Sequence, residues 1–164
     1  MHSCGESTKR TEHRADTIPV DHHQRELKQT VYDFDNPPEF RKDGELLFIE
    51  KESDDVKNKL NVEIASTDFQ RQMGLMYRAE MEHDFGMLFL FDREVIQSFW
   101  MRNTKIPLDI IYVNSNRQIV DIHSAADTMS NTSYPSAEPA IYVVEVNLGY
   151  CEKHNINIGD RINF

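Results

Sequence analysis

Cysteine is scarce in this chain. Its 164 residues hold two, Cys4 and Cys151, far apart and with Cys4 in a polar tail. No CxxC or Cys/His spacing accompanies them, so neither a disulfide scaffold nor a zinc site is expected, and Cys151 reads as an ordinary, partly buried thiol. No apolar run approaches the roughly 20 residues that span a bilayer. Basic residues are outnumbered: the net charge is −10, and from residue 46 onward 11 Lys and Arg face 18 Asp and Glu. With no basic stripe or Arg-rich helix, such a surface repels phosphate backbones, and no nucleic-acid partner is expected. The six glycines build no phosphate-binding loop, and no GxSxG is present. No cofactor is implied.

What the chain does contain is a polar start followed by short apolar runs. Residues 1–44 read as an extended tether and residues 45–164 as one β-rich domain. GELLFIEK (Gly44–Lys51) and KLNVEIA (Lys59–Ala65) are strands joined by a polar turn, with Glu63 alternating against Val62 and Ile64. In STDFQRQMGLMYR the period changes. Thr67 and Gln70 make a capping box, and the spacing predicts a helix from Asp68 to Met76 with Phe69, Met73 and Met76 on its core side. GMLFLF (Gly86–Phe91), SFWM (Ser98–Met101), LDIIYV (Leu108–Val113), QIVDIH (Gln118–His123), AIYVVEVN (Ala140–Asn147) and GDRINF (Gly159–Phe164) are further strands. The turn NSNR marks the clearest hairpin, Ser124–Pro139 reads as loop, and GYCEKHNI is a helical turn. Long helices do not alternate with these strands, so a compact antiparallel sandwich or barrel-like sheet with one or two short helices is predicted.

Two carboxylates break the pattern. Asp109 interrupts LDIIYV and Glu145 interrupts IYVVEV, each on an otherwise apolar strand, where a charge must be paired or must face a cavity. Two outcomes stay open. Asp109 anchors the crossover loop Arg102–Pro107 by accepting backbone N–H bonds, or the carboxylates line a polar pocket with Trp100 as an aromatic wall. Arg71, Arg78 and Arg102 are the available partners. The pocket reading takes Arg78, Trp100, Asn103, Thr104, Asp109 and Glu145 as ligand-binding residues for a small polar ligand or an envelope component. The alternative is a hydrolase of a cell-envelope sugar or peptide, with Asp109 and Glu145 as acid and base. A Cys151–His154 dyad and a metal site from His123 with Asp121 or Asp127 are weaker patterns, and no metal is expected. His13, His22 and His23 belong to the tether.

The blocks RQMGLMYR, GMLFLF, FWMRNTKIPLDIIYV, the strand holding Val144-Glu145, Gly149, and NIGD resemble, in order and spacing over about Leu60–Phe164, the family called domain of unknown function 192. The resemblance implies a single compact, mainly-β domain, often exported, with no established activity and no assigned catalytic residue. Separately, SCGES ahead of a polar tail looks like the start of a mature bacterial lipoprotein. Cys4 would then be lipidated, Met1 and His2 would be residues added for expression, and the domain would be held at a membrane on the extracytoplasmic side, periplasmic or cell-surface.

Overall fold

The computed structural model describes Asp33 and residues 35–164. Cys4 and the three tether histidines lie outside the described residues. The strands are β1 (Gly44–Ile49), β2 (Val56–Ala65), β3 (Phe85–Val95), β4 (Ser98–Trp100), β5 (Leu108–Val113), β6 (Ile119–Ala125), β7 (Ser133–Pro135), β8 (Ala140–Asn147) and β9 (Arg161–Asn163). The helices are α1 (Asp68–Met73) and α2 (Tyr150–Lys153). The protein is mainly β, as the apolar runs require. Seven strands form one sheet in the order β6-β5-β8-β3-β2-β1-β9, and β4 pairs separately with β7.

One pairing differs from the antiparallel expectation. β2 and β3 run parallel, from Asn61 opposite Phe85 to Ala65 opposite Phe89, so the sheet is mixed. A parallel pair needs a crossover, and the segment from Ser66 to Asp84, carrying α1, supplies it. The NSNR hairpin forms between β5 and β6, with Asn114 Oδ1 accepting from Gln118 N at 3.0 Å. The Ser124–Pro139 stretch contains β7, which hydrogen-bonds to β4. At the sheet edges, Gln118 bridges to Arg161 and Asp160 O accepts from Ile119 N at 2.8 Å. The edges touch there without pairing along their length, so the barrel stays unclosed.

Both sheet faces are covered. On one face Phe48, Val62, Leu88, Ile111, Val144 and Val146 pack with Tyr150, Cys151 and Ile156 from α2 and its exit. On the other, Met87, Phe89, Ile110, Tyr112 and Val143 pack with Leu75, Met101 and Ile106. This explains β5, whose six residues are all buried: a strand covered on both sides reads as an unbroken apolar run. At the centre, a Cβ on Gly86 of β3 would lie 2.8 Å from the Glu145 carbonyl oxygen, so only glycine fits that approach. Ahead of β1, Asp43 N already donates to Val62 O at 2.9 Å, so the fold begins slightly before residue 44.

α1 is shorter than its spacing predicts. The capping box forms, with Gln70 N donating to Thr67 Oγ1 at 3.2 Å and Thr67 N to Gln70 Oε1 at 3.0 Å. The helix then stops at Met73 because Gly74 turns to φ +47°. No residue of α1 is buried, and Phe69 is 55% exposed, so the expected core stripe is not built there.

Asp109 turns to the α2 face. It is 1% exposed and accepts from Ser124 Oγ at 3.0 Å and from Cys151 N at 3.0 Å, tying α2 to β5 and β6. Asp109→Ala strands both donors, one of them a buried backbone N–H, and lowers unfolding free energy by about 3 kcal/mol, while Ser124→Ala lowers it by about 1 kcal/mol. Urea denaturation of the two variants against wild type measures both.

Candidate functional site

The register sorts the buried carboxylates. Asp109 stands opposite Val146 and Ser124, whereas Glu145 stands opposite Ile110 and Met87. Partners directly across a ladder share a face, and neighbours along a strand alternate. Asp109 and Glu145 therefore point to opposite sides of the sheet. The acid/base pair of the alternative hydrolase reading is not assembled, and Asp109 lies on the face away from Glu145.

On Glu145's side a cross-strand row runs Glu63, Met87, Glu145, Ile110, His123 over β2, β3, β8, β5 and β6. Glu63 is answered. Arg78 grips it with Nη1 at 2.9 Å and Nη2 at 3.1 Å, both side chains being buried, and the Arg41 backbone N–H adds a bond at 3.2 Å. The Arg78 guanidinium also lies 5.0 Å from the Phe40 ring centroid. Arg78 is thus a structural partner of Glu63. Alternation along β2 marks Glu63 as the polar side of a half-buried strand, and alternation alone does not reveal that this side is covered.

Glu145 is not answered. It is 5% exposed, sits between Met87 and Ile110, and takes no hydrogen bond or ion pair from the described residues. Burial pushes its carboxyl group up to about 8. It lines a cleft of about 320 Å³ whose other walls include Arg71, Met73, Gly74 and Met76 from α1 and its exit, Phe89 and Phe91 from β3, Gln97 to Trp100 around β4, and Thr104. Gly74 matters here, since a Cβ would lie 3.3 Å from the Phe89 ring. Phe99 meets Phe89 edge-on at 4.9 Å. Arg71 donates to Ser66 O at 2.6 Å, to Leu90 O at 2.8 Å and to Asp68 at 2.5 Å, with its guanidinium 5.5 Å from the Phe91 centroid.

The remaining residues expected at the site divide between cleft and scaffold. Trp100, 45% exposed, stands on the rim with Arg102 over its ring at 5.3 Å, and Thr104 lines the wall. Asn103 is a turn residue at φ +54°, donating from Nδ2 to Tyr77 Oη at 2.8 Å while its carbonyl accepts from Tyr77 N at 2.8 Å. Cys151 is buried, and burial with the Asp109 carboxylate beside it pushes the thiol up, which disables it as a nucleophile. His154 packs at a tilt against the Tyr150 ring, centroids 4.4 Å apart. His123 Nε2 lies 3.0 Å from Pro135 O and 3.1 Å from Asp121. Among the described residues no group of three or more His, Cys, Asp or Glu is arranged to hold a metal. Phe89, Phe91 and Phe99 are cleft residues that sequence reasoning did not select, their only signal being apolar periodicity, which core residues share; Arg71, selected as an available partner for the carboxylates, lines the cleft but is bound to Asp68, Ser66 O and Leu90 O.

A mainly-β domain with both sheet faces covered and a buried carboxylate at an aromatic cleft is the class these features define. The chain belongs to the domain of unknown function 192 family, described as an uncharacterized ACR, which matches residues 49–164. It is 26% identical over 111 residues to a UPF0127 protein of Pyrococcus furiosus, covering 65% of this chain and 88% of that one. It is 29% identical over 108 residues to a UPF0127 protein of Thermococcus sibiricus, covering 63% of this chain and 65% of that one. Among solved structures it resembles a candidate transcription regulator from Sinorhizobium meliloti 1021 (TM-score 0.68, 37% identity, 73% of this chain and 91% of that one). It also resembles a protein of unknown function from Novosphingobium aromaticivorans (TM-score 0.67, 32% identity, 73% and 84%).

Two outcomes follow from the row. Arg78→Ala leaves the Glu63 charge buried and lowers stability by about 3–5 kcal/mol, and the double replacement Glu63→Leu with Arg78→Met recovers most of it; chemical denaturation reads both. For Glu145, the folded state holds a proton that the unfolded chain releases above about 4.5, so stability falls as pH rises from about 4.5 to about 8 and levels off beyond. In Glu145→Gln that decline is reduced, which the urea midpoint followed across the same range measures.

Proposed function

We propose that this protein is a small-ligand-binding domain whose site is the cleft over Glu145, with Trp100 as its outer wall. The observation that carries the reading is the unpartnered carboxylate at an aromatic cleft. Burying an ionisable group without a partner destabilises the fold, and the two other carboxylates discussed, Asp109 and Glu63, are both satisfied internally. A ligand supplies the missing partner. A cleft of about 320 Å³ suits a molecule of metabolite size, and Phe89, Phe91, Phe99 and Trp100 give it apolar faces to bury. Binding without turnover is favoured over hydrolysis because Asp109, the carboxylate that reading pairs with Glu145, lies across the sheet, and the Asp68 carboxylate on the cleft wall is held by Arg71.

We further propose a location, on the sequence pattern around Cys4. Cys4, preceded by Ser3 and followed by a polar stretch, supports a lipid-anchored protein on the extracytoplasmic side of a bacterial membrane. Its ligand is then a small molecule of the envelope or its surroundings.

The chain's single tryptophan stands at the cleft rim, so its fluorescence reports occupancy. Titration with a library of small polar metabolites shifts that emission, and Trp100→Ala weakens the same ligand about tenfold when followed by NMR. A library that leaves both Trp100 emission and the Glu145 neighbourhood untouched defeats the binding reading. For the anchor, protein expressed with its own leader carries an acyl mass on Cys4, and Cys4→Ser moves it to the soluble fraction; an unmodified, soluble wild type ends that part of the proposal.

A further inference from the structure

We infer that the ligand of this cleft is an organic monocation, an amine or a quaternary ammonium, whose charge rests against Glu145 and whose carbon skeleton rests against the aromatic lining. The inference builds on the binding reading above and names its ligand class.

Charge selects the class first. Among the described lining residues the ionisable ones are Asp68, Arg71 and Glu145. Arg71 is occupied by Asp68, Ser66 O and Leu90 O, so it neutralises Asp68 and is already engaged by three acceptors of the fold. The charge left without a counterion is Glu145, which is buried and negative when ionised. An anionic ligand would meet that carboxylate with the cleft's guanidinium already taken. A cation meets it in a site of reduced dielectric, where an ion pair is far stronger than in water.

The lining selects the second property. Four aromatic side chains line the same cleft as the carboxylate, and aromatic faces attract cations, more so when water is excluded. Two of these rings are used that way already: Arg71 lies 5.5 Å from the Phe91 centroid and Arg102 lies 5.3 Å from that of Trp100. Met73 and Met76 add polarizable surface that adapts to alkyl groups. The chain's net charge of −10 draws cations toward the domain from solution.

Proton linkage gives the inference a signature. A cation stabilises the ionised carboxylate, so binding expels the proton that burial retains up to about pH 8. Affinity for a cation therefore rises with pH and flattens above that value. A neutral polyol shows no such rise, because it hydrogen-bonds to the protonated group as readily.

The test uses the whole chain, followed by Trp100 emission and by NMR shifts of residues 73–76 and 143–145. Its probes are choline, benzylamine and two neutral molecules of matching shape, 3,3-dimethylbutan-1-ol and benzyl alcohol, with glucose and N-acetylglucosamine as sugars. The expected result is that choline and benzylamine bind at least about tenfold tighter than their neutral counterparts above pH 8, weaken as pH falls to 6, and lose that advantage in Glu145→Gln. The amide of Glu145→Gln keeps the shape of the neutral carboxyl group that the cleft already tolerates, so the variant folds; its NMR spectrum verifies this. Tighter binding of the neutral probes or sugars, or a cation preference that survives Glu145→Gln, overturns the monocation while leaving a binding domain in place. Silence from every probe, joined to silence from the metabolite library, overturns both.

Discussion

A sheet covered on both faces leaves its central strands no solvent to turn to, and the rest of this structure follows from that constraint. Each buried polar side chain on β2, β5 or β8 must find its partner inside the fold. Asp109 finds the Cys151 N–H and the Ser124 hydroxyl, and so fixes α2 against the sheet. Glu63 finds Arg78, and through Arg41 also fixes the segment that enters β1. Glu145, in the same row as Glu63 and two strands away, finds nothing among the described residues. At about 4.8 Å per strand the two carboxylates are separated by roughly 10 Å, close enough that one guanidinium placed differently could have served the other. That Arg78 serves Glu63 leaves the middle of the sheet chemically open.

The cleft exists because of local decisions at its rim. Gly74 ends α1 after six residues and lets the chain pass close to Phe89. Asn103 and Tyr77 both adopt positive φ and bond to one another, holding the α1 exit beside the β4 exit. β4 leaves the main sheet to pair with β7, which hangs Phe99 and Trp100 over the opening. None of these residues touches Glu145 by hydrogen bond; together they keep it from being sealed.

Much of this was legible in the sequence. The Thr67–Gln70 capping box, the NSNR hairpin and the strand runs follow from local chemistry, and the structure has each of them. The two anomalous carboxylates were also visible, because an acid inside LDIIYV or IYVVEV contradicts its surroundings. Which way they point was not, since facing depends on register: Asp109 meets Val146 rather than Glu145, an offset of one residue that sends the two acids to opposite sides. The parallel β2–β3 pair was hidden for a related reason, as an apolar run looks the same whichever way its neighbour travels. Phe89, Phe91 and Phe99 could not be separated from core residues, because a cleft wall and a core wall are written with the same side chains.

The last strand carries a consequence for how the chain acquires its shape. β9 is three residues long, yet it pairs with β1 at Leu47–Ile49, and Arg161 also meets Gln118. The two ends of the folded region are therefore neighbours, separated by more than a hundred residues along the backbone. Contacts of that span form late, because a long loop must be closed before any stabilisation returns. The outer edge of β1 is therefore covered by a strand from the far end of the folded region.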